Sequence, residues 1–189
     1  MFAAQMKAPR RILVAVGIAG TGVAFAVCAH VLGRHPVGNS SVPQPAKFVD
    51  LEKYLGRWFE IARYEQRFQK GCAGVTADYS LREDGSINVV NRCRKRGGRV
   101  DEAHGRAKVV DRTTNAKLKV SFFGPFYGHY WVLDHADDYS WSIVGEPSGR
   151  YLWTLARSPR PPENGVSQLV ARAQALGYDT SLLLRTIQP

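Results

Sequence analysis

The sequence predicts an all-β protein: an eight-stranded up-and-down antiparallel barrel with one C-terminal α-helix packed outside it and a short final strand. Short segments with strand-like alternation follow one another from Gly56 to Arg157, parted by turn-forming residues. Helical periodicity appears once, after the last of these segments. Eight strands in chain order close most simply into a barrel wide enough to hold one small ligand.

The most informative stretch is Gly56–Tyr64, at the head of this series. Successive side chains of a strand point to opposite faces, so the stretch has two distinct sides. One face is expected to carry Trp58, Glu60 and Ala62. The other is expected to carry Phe59, Ile61 and Arg63. Large apolar groups on both faces indicate a barrel strand that also has an outer layer.

The later strands are separated by turns rich in Asp, Gly and Pro. They are predicted over residues 75–81, 87–93, 105–110, 117–122, 129–134, 139–145 and 151–157. The positions expected to line the interior are Val75, Ala77, Tyr79, Leu118, Val120, Phe122, Trp153 and Leu155. The helix is predicted from the apolar stripe Val166, Leu169, Val170, Ala173 and Leu176. Gly177 ends it, and a last strand is predicted over residues 182–187.

Residues 1–34 are predicted to be a signal sequence or membrane anchor. Basic residues precede the stretch 12–29, which carries no formal charge and is long enough to span a bilayer uncleaved. A third alternative is a lipoprotein signal with Cys28 as the lipidated residue, although Val27 is bulkier than the residue expected before it. Residues 35–47, rich in Pro, Ser and Gly, are predicted to be a linker, and residues 48–189 form the folded domain.

Cysteine usage agrees with export from the cytoplasm. With Cys28 in the targeting segment, Cys72 and Cys93 remain as a pair in the folded part. In an oxidising compartment such a pair is expected to form a disulfide. The alternative is two buried free thiols.

Composition and charge narrow the class of partner. The chain of 189 residues is 44% hydrophobic and 11% aromatic, which is enough for one domain with a hydrophobic core. Its formal net charge is +10. This excess favours anionic lipid surfaces or phosphate groups, or is simply a basic solvated surface. No aromatic stacking strip accompanies the basic residues, so nucleic acid is not an expected partner.

Patterns for catalysis or metal binding are missing from the sequence. A hydrolytic triad needs a nucleophile beside a histidine, but His104, His129 and His135 fall on different loops or strands. His129 and His135 have aspartates nearby, yet no spacing matches a zinc motif. The sequence therefore predicts no catalytic residue, no metal and no cofactor.

Four sequence blocks resemble those of a known family. They are YLGRWFEIAR at 54–63, VTADYSL at 75–81, KVSFFGPFYG at 119–128 and YLWTLAR at 151–157. With these blocks in this order, the chain from about Val49 to Gln188 resembles a lipocalin, specifically the bacterial lipocalins of the outer-membrane lipoprotein type. The resemblance implies a calyx that binds small lipophilic ligands without catalysis. In the prostaglandin synthase branch a thiol is catalytic, but the expected Cys72–Cys93 bond argues against that role for Cys72.

Strand alternation assigns the connections to the two ends of the barrel. Segments 65–74, 94–104, 124–128 and 146–150 are expected at the open end, and the other connections at the closed end. Cys72 and Cys93 then lie near the mouth, where a bond would hold the segment 65–74. Gly56, Trp58 and Arg157 lie at the closed end, and the lipocalin resemblance likewise implies that Arg157 stacks over Trp58 as a structural floor.

A small lipophilic ligand is the expected partner. The residues expected to contact it are Tyr127, Trp153, Tyr79, Phe122, Val120 and Leu155. The cations expected to attract its headgroup or a membrane surface are Arg63, Arg67, Arg94, Lys95 and Arg96. The sequence thus predicts an exported, membrane-associated carrier of fatty acids or lysophospholipids, a monomer or weak homodimer, in the bacterial cell envelope. The alternatives are a lipocalin-fold enzyme acting on a lipophilic substrate and a filled barrel that serves as a basic interaction module.

Overall fold

Nine antiparallel strands and two α-helices make up the domain. The computed structural model describes residues 36–95 and 97–189, so the predicted targeting segment with Cys28, as well as Arg96, lies outside the described residues. The strands are β1 (Gly56–Tyr64), β2 (Ala73–Leu81), β3 (Ile87–Arg94), β4 (Val100–Val109), β5 (Lys117–Phe123), β6 (Phe126–His135), β7 (Trp141–Gly145), β8 (Leu152–Ala156) and β9 (Leu183–Arg185). The helices are α1 (Leu51–Tyr54) and α2 (Glu163–Ala175).

The sheet closes on itself through β1. Strands β2 to β8 pair in chain order, β8 pairs with β1, and the first half of β1 pairs with β2. The second half of β1 instead pairs with β9, which takes the place of β2 at the open end. The predicted eight-stranded up-and-down barrel, with an outer helix and a short last strand, is confirmed.

A β-bulge in β1 changes which of its residues face the interior. The pairing with β8 shifts between Glu60 and Ala62, so Arg63 lies opposite Trp153. Residues directly opposite each other share one face of a sheet. Arg63 is therefore on the inner face with Glu60, and Ala62 is on the outer one. The alternation predicted for 62–63 is wrong, because one extra residue reverses every later side chain.

The strand β4 begins at Val100, five residues earlier than predicted, within a segment whose charges suggested a loop. Its polar residues form a ladder with β3, in which Arg92 lies opposite Glu102. The Arg92 Nε and Glu102 Oε2 atoms are 2.7 Å apart, and His104 bonds to the same carboxylate. Cross-strand ion pairs of this kind stabilise a strand without an apolar alternation.

The helix α2 covers the outer face of the barrel. Val166, Leu169 and Ala173 form its buried side. Leu169 and Ala173 pack on residues that point outward from β6, β7 and β8, among them Leu133, Ile143 and Leu152. This outer layer explains why several strands are apolar on both faces. Within the described residues, no helix is both long and apolar enough to cross a bilayer.

Residues 36–48, which we call the strap, run along the outside of the barrel from the open end to the closed end. The amides of Gly38 and Asn39 donate to the carbonyl of Gly149 at 3.0 and 3.2 Å, in the open-end connection between β7 and β8. Farther along, Ala46 donates to Leu133. Just past the strap, the amide of Val49 donates to Thr114 at the closed end. The segment predicted as a linker is thus bound to the barrel wall.

Candidate functional site

The barrel interior is lined by apolar side chains that are not all buried. Tyr79, Leu118 and Leu155 belong to the buried inner cluster, with the less buried Ala77, Val120, Phe122, Tyr130 and Trp153 packed against it. All five of these point into the barrel yet keep accessible surface. A filled barrel would bury inward-facing groups completely. The accessible surface of these residues favours a calyx over a completely filled barrel.

Trp58 and Arg157 close the bottom of this calyx. The Trp58 side chain is fully buried, and the guanidinium carbon of Arg157 lies 3.8 Å from its ring centroid. The same guanidinium donates to the carbonyls of Lys53 and Leu55 at 2.7 and 2.8 Å, which terminates α1. Burial lowers the pKa of Arg157, but an arginine remains charged at neutral pH. Gly56, the first residue of β1, has a φ of +89°, a conformation that favours glycine.

Three tyrosines form a polar layer above this floor. The Tyr130 hydroxyl lies 3.1 Å from that of Tyr54 and 2.9 Å from that of Tyr79, and Tyr54 also bonds to Ser142. Burial raises the pKa of all three phenols, so they stay neutral at physiological pH. Sequence reasoning identified only Tyr79. Tyr54 precedes the first strand, and Tyr130 lies within the 129–134 strand but was not assigned to the interior.

Arg63 is a structural residue rather than the rim cation predicted from the sequence. Only 5% of it is exposed, and its Nη1 donates to Glu60 at 2.7 Å and to the Thr186 hydroxyl at 3.0 Å. Its Nη2 donates to the carbonyl of Gln69 at 3.1 Å. The bulge in β1 causes this difference, because it turns Arg63 toward the carboxylate of Glu60.

Gln69 extends this network to Trp153. Its Nε2 donates to Glu60 at 2.8 Å, while its Oε1 accepts from Trp153 Nε1 at 2.9 Å. The indole N–H of Trp153 is thus already paired, and only the ring is left for a ligand. The network joins β1, β8, the connection 65–72 and the C-terminal segment at one point below the mouth.

The predicted disulfide is confirmed. Cys72 and Cys93 are bonded, with their Cα atoms 5.3 Å apart, and Phe68 and Val75 pack against them. The bond fixes the end of the connection that carries Gln69. It also leaves Cys72 without a free thiol, which removes the nucleophile considered for an enzyme.

Breaking this bond is expected to destabilise the domain by about 3 kcal/mol, the chain-entropy value for a loop of about 20 residues. Urea unfolding of the oxidised protein, with and without reductant, measures the change. The double variant Cys72→Ala/Cys93→Ala serves as the control, since reductant should leave its midpoint unchanged. An equal midpoint for reduced and oxidised wild type would contradict the expectation.

Asn91 is an interior polar group that sequence reasoning missed. It alternates with Val89 and Cys93, two buried residues of β3. Its neighbours in register are the small residues Ala77 and Ala103. The Asn91 Oδ1 atom is buried without a hydrogen-bond partner among the described residues. Such a group calls for an explanation. The sequence contained a signal for this interior group, since Asn91 is a polar residue at a strand position that alternation places inside the barrel.

The predicted rim cations are only partly brought together. Arg67 and Arg94 are exposed at the open end, whereas Lys95 donates to the carbonyl of Lys70 at 3.0 Å. Arg96 lies outside the described residues. The open end therefore keeps a cationic edge, but Arg63 does not belong to it.

Tyr127, predicted to contact the ligand from the mouth loop, lies instead near the start of β6. It is 44% exposed and belongs to β6, where Gly128 and Tyr130 point inward, so alternation puts Tyr127 on the outer face. With Phe123 and Phe126 it forms an exposed aromatic tip at the open end, which we call the aromatic hairpin tip.

The histidines considered for a metal site are apart in the structure. His135 is buried, stacks on Tyr139 at 4.3 Å and bonds to the carbonyls of Ala136 and Phe48. His129 is exposed beside Trp131. Between residue 36 and the C-terminus, Arg96 aside, no group of three potential metal ligands comes together.

Comparison with known proteins gives one consistent result. Residues 49–188 match the family model for a lipocalin-like domain. The chain is 37% identical to the outer membrane lipoprotein Blc of Vibrio cholerae, over 85% of this chain and 95% of that protein. It is 41% identical to the protein of the same name from Escherichia coli K12, over 74% and 80%. Insecticyanin from Manduca sexta shares the fold, with a TM-score of 0.63, 19% identity and coverage of 79% and 85%. The chain belongs to the lipocalin family.

Proposed function

We propose that this lipocalin binds and carries single-chain amphiphilic lipids, fatty acids or lysophospholipids, in the bacterial cell envelope. The observation that carries the proposal is the calyx itself, whose inward-facing apolar residues keep accessible surface. Removing an acyl chain from water contributes about 25 cal/mol per Å² of buried apolar surface. Exported relatives named outer membrane lipoproteins support the location, where such a carrier would help to maintain the membrane.

The acyl chain would lie between Val120, Phe122, Leu155 and the ring of Trp153, with Tyr79 beneath it. Asn91 Oδ1, which has no partner among the described residues, would accept a hydrogen bond from a hydroxyl group of the ligand. The anionic end would remain at the mouth, near Arg67 and Arg94. Apart from Asn91 Oδ1 and Arg63 Nε, which have no hydrogen-bond partner in the described part of the chain, the interior groups described above are apolar or hydrogen-bonded, and Cys72 is bonded, so binding rather than catalysis is the proposed role.

Native mass spectrometry of protein purified from membranes tests whether a lipid is carried. A co-purified single-chain lipid is the expected result. A turned-over product would instead favour the lipocalin-fold enzyme, and the absence of any bound lipid would favour the basic interaction module.

Filling the calyx is expected to weaken ligand binding. Val120→Trp puts an indole into the interior, where it occupies space that the ligand would need. Because a packed interior accommodates extra volume poorly, we expect the affinity for a lysophospholipid to fall at least about tenfold. Lys119→Trp adds the same group on the exposed outer face of β5 and should leave affinity unchanged. Titration calorimetry measures both, and circular dichroism checks the fold. Equal affinity for the two variants would place the ligand outside the calyx.

A further inference from the structure

The strap determines where the N-terminal part of the chain meets the domain. Gly38 and Asn39 are fixed to Gly149 at the open end, and the Asn39 side chain donates to the carbonyl of Leu176 at 2.9 Å. Asn39 is only 4% exposed. Because the strap then descends to the closed end, everything that precedes residue 36 joins the barrel at its mouth.

The sequence between a membrane attachment and this point is short. Cys28 precedes Pro36 by eight residues, and the uncharged stretch 12–29 ends seven residues before it. A fully extended chain covers at most about 3.3–3.6 Å per residue, so the reach is below about 30 Å. A ten-residue strand such as β6 is about 33 Å long at the usual rise. Because barrel strands tilt by about 35–45°, such a strand spans roughly 25 Å along the barrel axis, comparable to this reach. Attachment at either position therefore favours the open end, where the chain enters, as the end nearer the bilayer.

The two ends of the barrel also differ in charge. Among the described residues, the open-end connections between barrel strands carry the cations Arg67, Lys70, Lys95, Arg99 and Arg150 against the acids Glu65 and Glu146; the adjoining strand ends add Arg94 in β3 and Asp101 and Glu102 in β4. The closed-end connections are richer in acids: Asp50, Glu52, Glu83, Asp84, Asp111, Asp137 and Asp138, against the cations Lys53, Arg82, Arg112, Arg157 and Arg160. An anionic membrane surface attracts the first end and repels the second.

Exposed apolar side chains accompany the cations at the open end. In the aromatic hairpin tip, Phe123, Phe126 and Tyr127 are 44%, 60% and 44% exposed, and Val100, the first residue of β4 at the same end, is 48% exposed. Clustered exposed apolar groups with polar surroundings mark an interaction surface. Aromatic side chains beside cations suit the interface of a bilayer, where the ring is buried and the charge meets phosphate.

We propose that the open end of the barrel docks on an anionic phospholipid bilayer, with the aromatic hairpin tip at the membrane interface. The strap, which enters the domain at this end, keeps the mouth of the barrel oriented toward the bilayer. In this orientation a lipid passes between bilayer and calyx without crossing open water. The docking surface lies at the rim of the mouth, beyond the residues proposed to hold the acyl chain, so docking and ligand binding are separable by experiment.

A photo-crosslinking experiment distinguishes the two ends. Benzoylphenylalanine replaces Phe126 at the open end or Leu81 at the closed end, two positions that are 60% and 59% exposed. The full chain, with its own N-terminus, is isolated from membranes and reconstituted in vesicles of phosphatidylethanolamine and phosphatidylglycerol. We expect at least ten times more lipid adduct from position 126 than from position 81.

Equal adducts at both positions, or more at position 81, would overturn the orientation. Crosslinks from position 126 to a second copy of the chain would show that another barrel covers the mouth. Recovery of the protein only in the soluble fraction would also overturn docking. In each of these cases, unchanged lysophospholipid affinity of the detergent-solubilised protein would leave the proposed carrier function standing.

Charge reversal provides an independent measurement. Arg94→Glu at the open end is expected to lower association with these vesicles several-fold, with a dependence on salt that is weaker than in wild type. Arg82→Glu at the closed end introduces the same charge change on an exposed residue and should not weaken association. Equal losses in the two variants would show only an effect of net charge and would contradict an oriented contact.

Discussion

Replacing Trp58 by alanine is expected to lower the free energy of unfolding by about 3–5 kcal/mol, the usual cost of deleting a large buried aromatic residue. Trp58 is fully buried, and its indole N–H donates to the carbonyl of Tyr54 at 2.8 Å. Its loss would open the floor of the calyx and leave that carbonyl unpaired. Urea unfolding followed by far-UV circular dichroism measures the change.

A double-mutant cycle with Arg157 tests how much of this loss belongs to the stack between the two side chains. A cation over an indole contributes about 0.5–2 kcal/mol, so Trp58→Ala and Arg157→Ala should be less than additive by that amount. Arg157→Lys is the matched variant, because it keeps the charge but lacks the planar fork whose Nη1 donates to the carbonyl of Arg57 and whose Nη2 donates to those of Lys53 and Leu55. Strict additivity of the two alanine substitutions would refute a favourable contact.

The fold and the floor were accessible to sequence reasoning because they depend on strand order. When strands pair in chain order, successive connections alternate between the two ends of the barrel. Trp58 and Arg157 are then both placed at the closed end. The two side chains are in contact in the structure. The Cys72–Cys93 bond was expected from the cysteine pair and the predicted export, and strand order places both cysteines near the mouth.

The interior polar groups were not accessible in this way. A single bulge in β1 moves the Arg63 side chain from the outer to the inner face of the barrel. The sequence does not predict this bulge, because Ile61 and Ala62 are ordinary strand residues. The strap was equally hidden, because Pro, Ser and Gly are typical of free linkers. Its attachment depends on backbone hydrogen bonds and on Asn39, which sequence alone does not identify as buried.

Removing Arg63 is expected to be the second large perturbation, because it breaks a buried ion pair from one side. Glu60 is only 3% exposed, and in Arg63→Met its carboxylate would keep only Gln69 and Thr186 as hydrogen-bond donors. Deleting one partner of a buried pair costs about 3–5 kcal/mol, since an uncompensated charge remains. Urea unfolding of the single variant measures that loss.

The matched double variant Glu60→Met/Arg63→Met decides between charge and packing. Replacing both partners by apolar groups of similar size is often close to neutral, so the double variant should be more stable than Arg63→Met. The double variant would nevertheless remove the Arg63 donor to the Gln69 carbonyl and the Glu60 acceptor of the Gln69 side-chain N–H. These two hydrogen bonds hold Gln69, in the connection 65–72, beside Trp153. We therefore expect recovered stability with weakened lysophospholipid binding, measured by calorimetry. A double variant as unstable as the single one would show that Arg63 contributes through its packing, whereas full recovery of binding would show that the network does not shape the calyx.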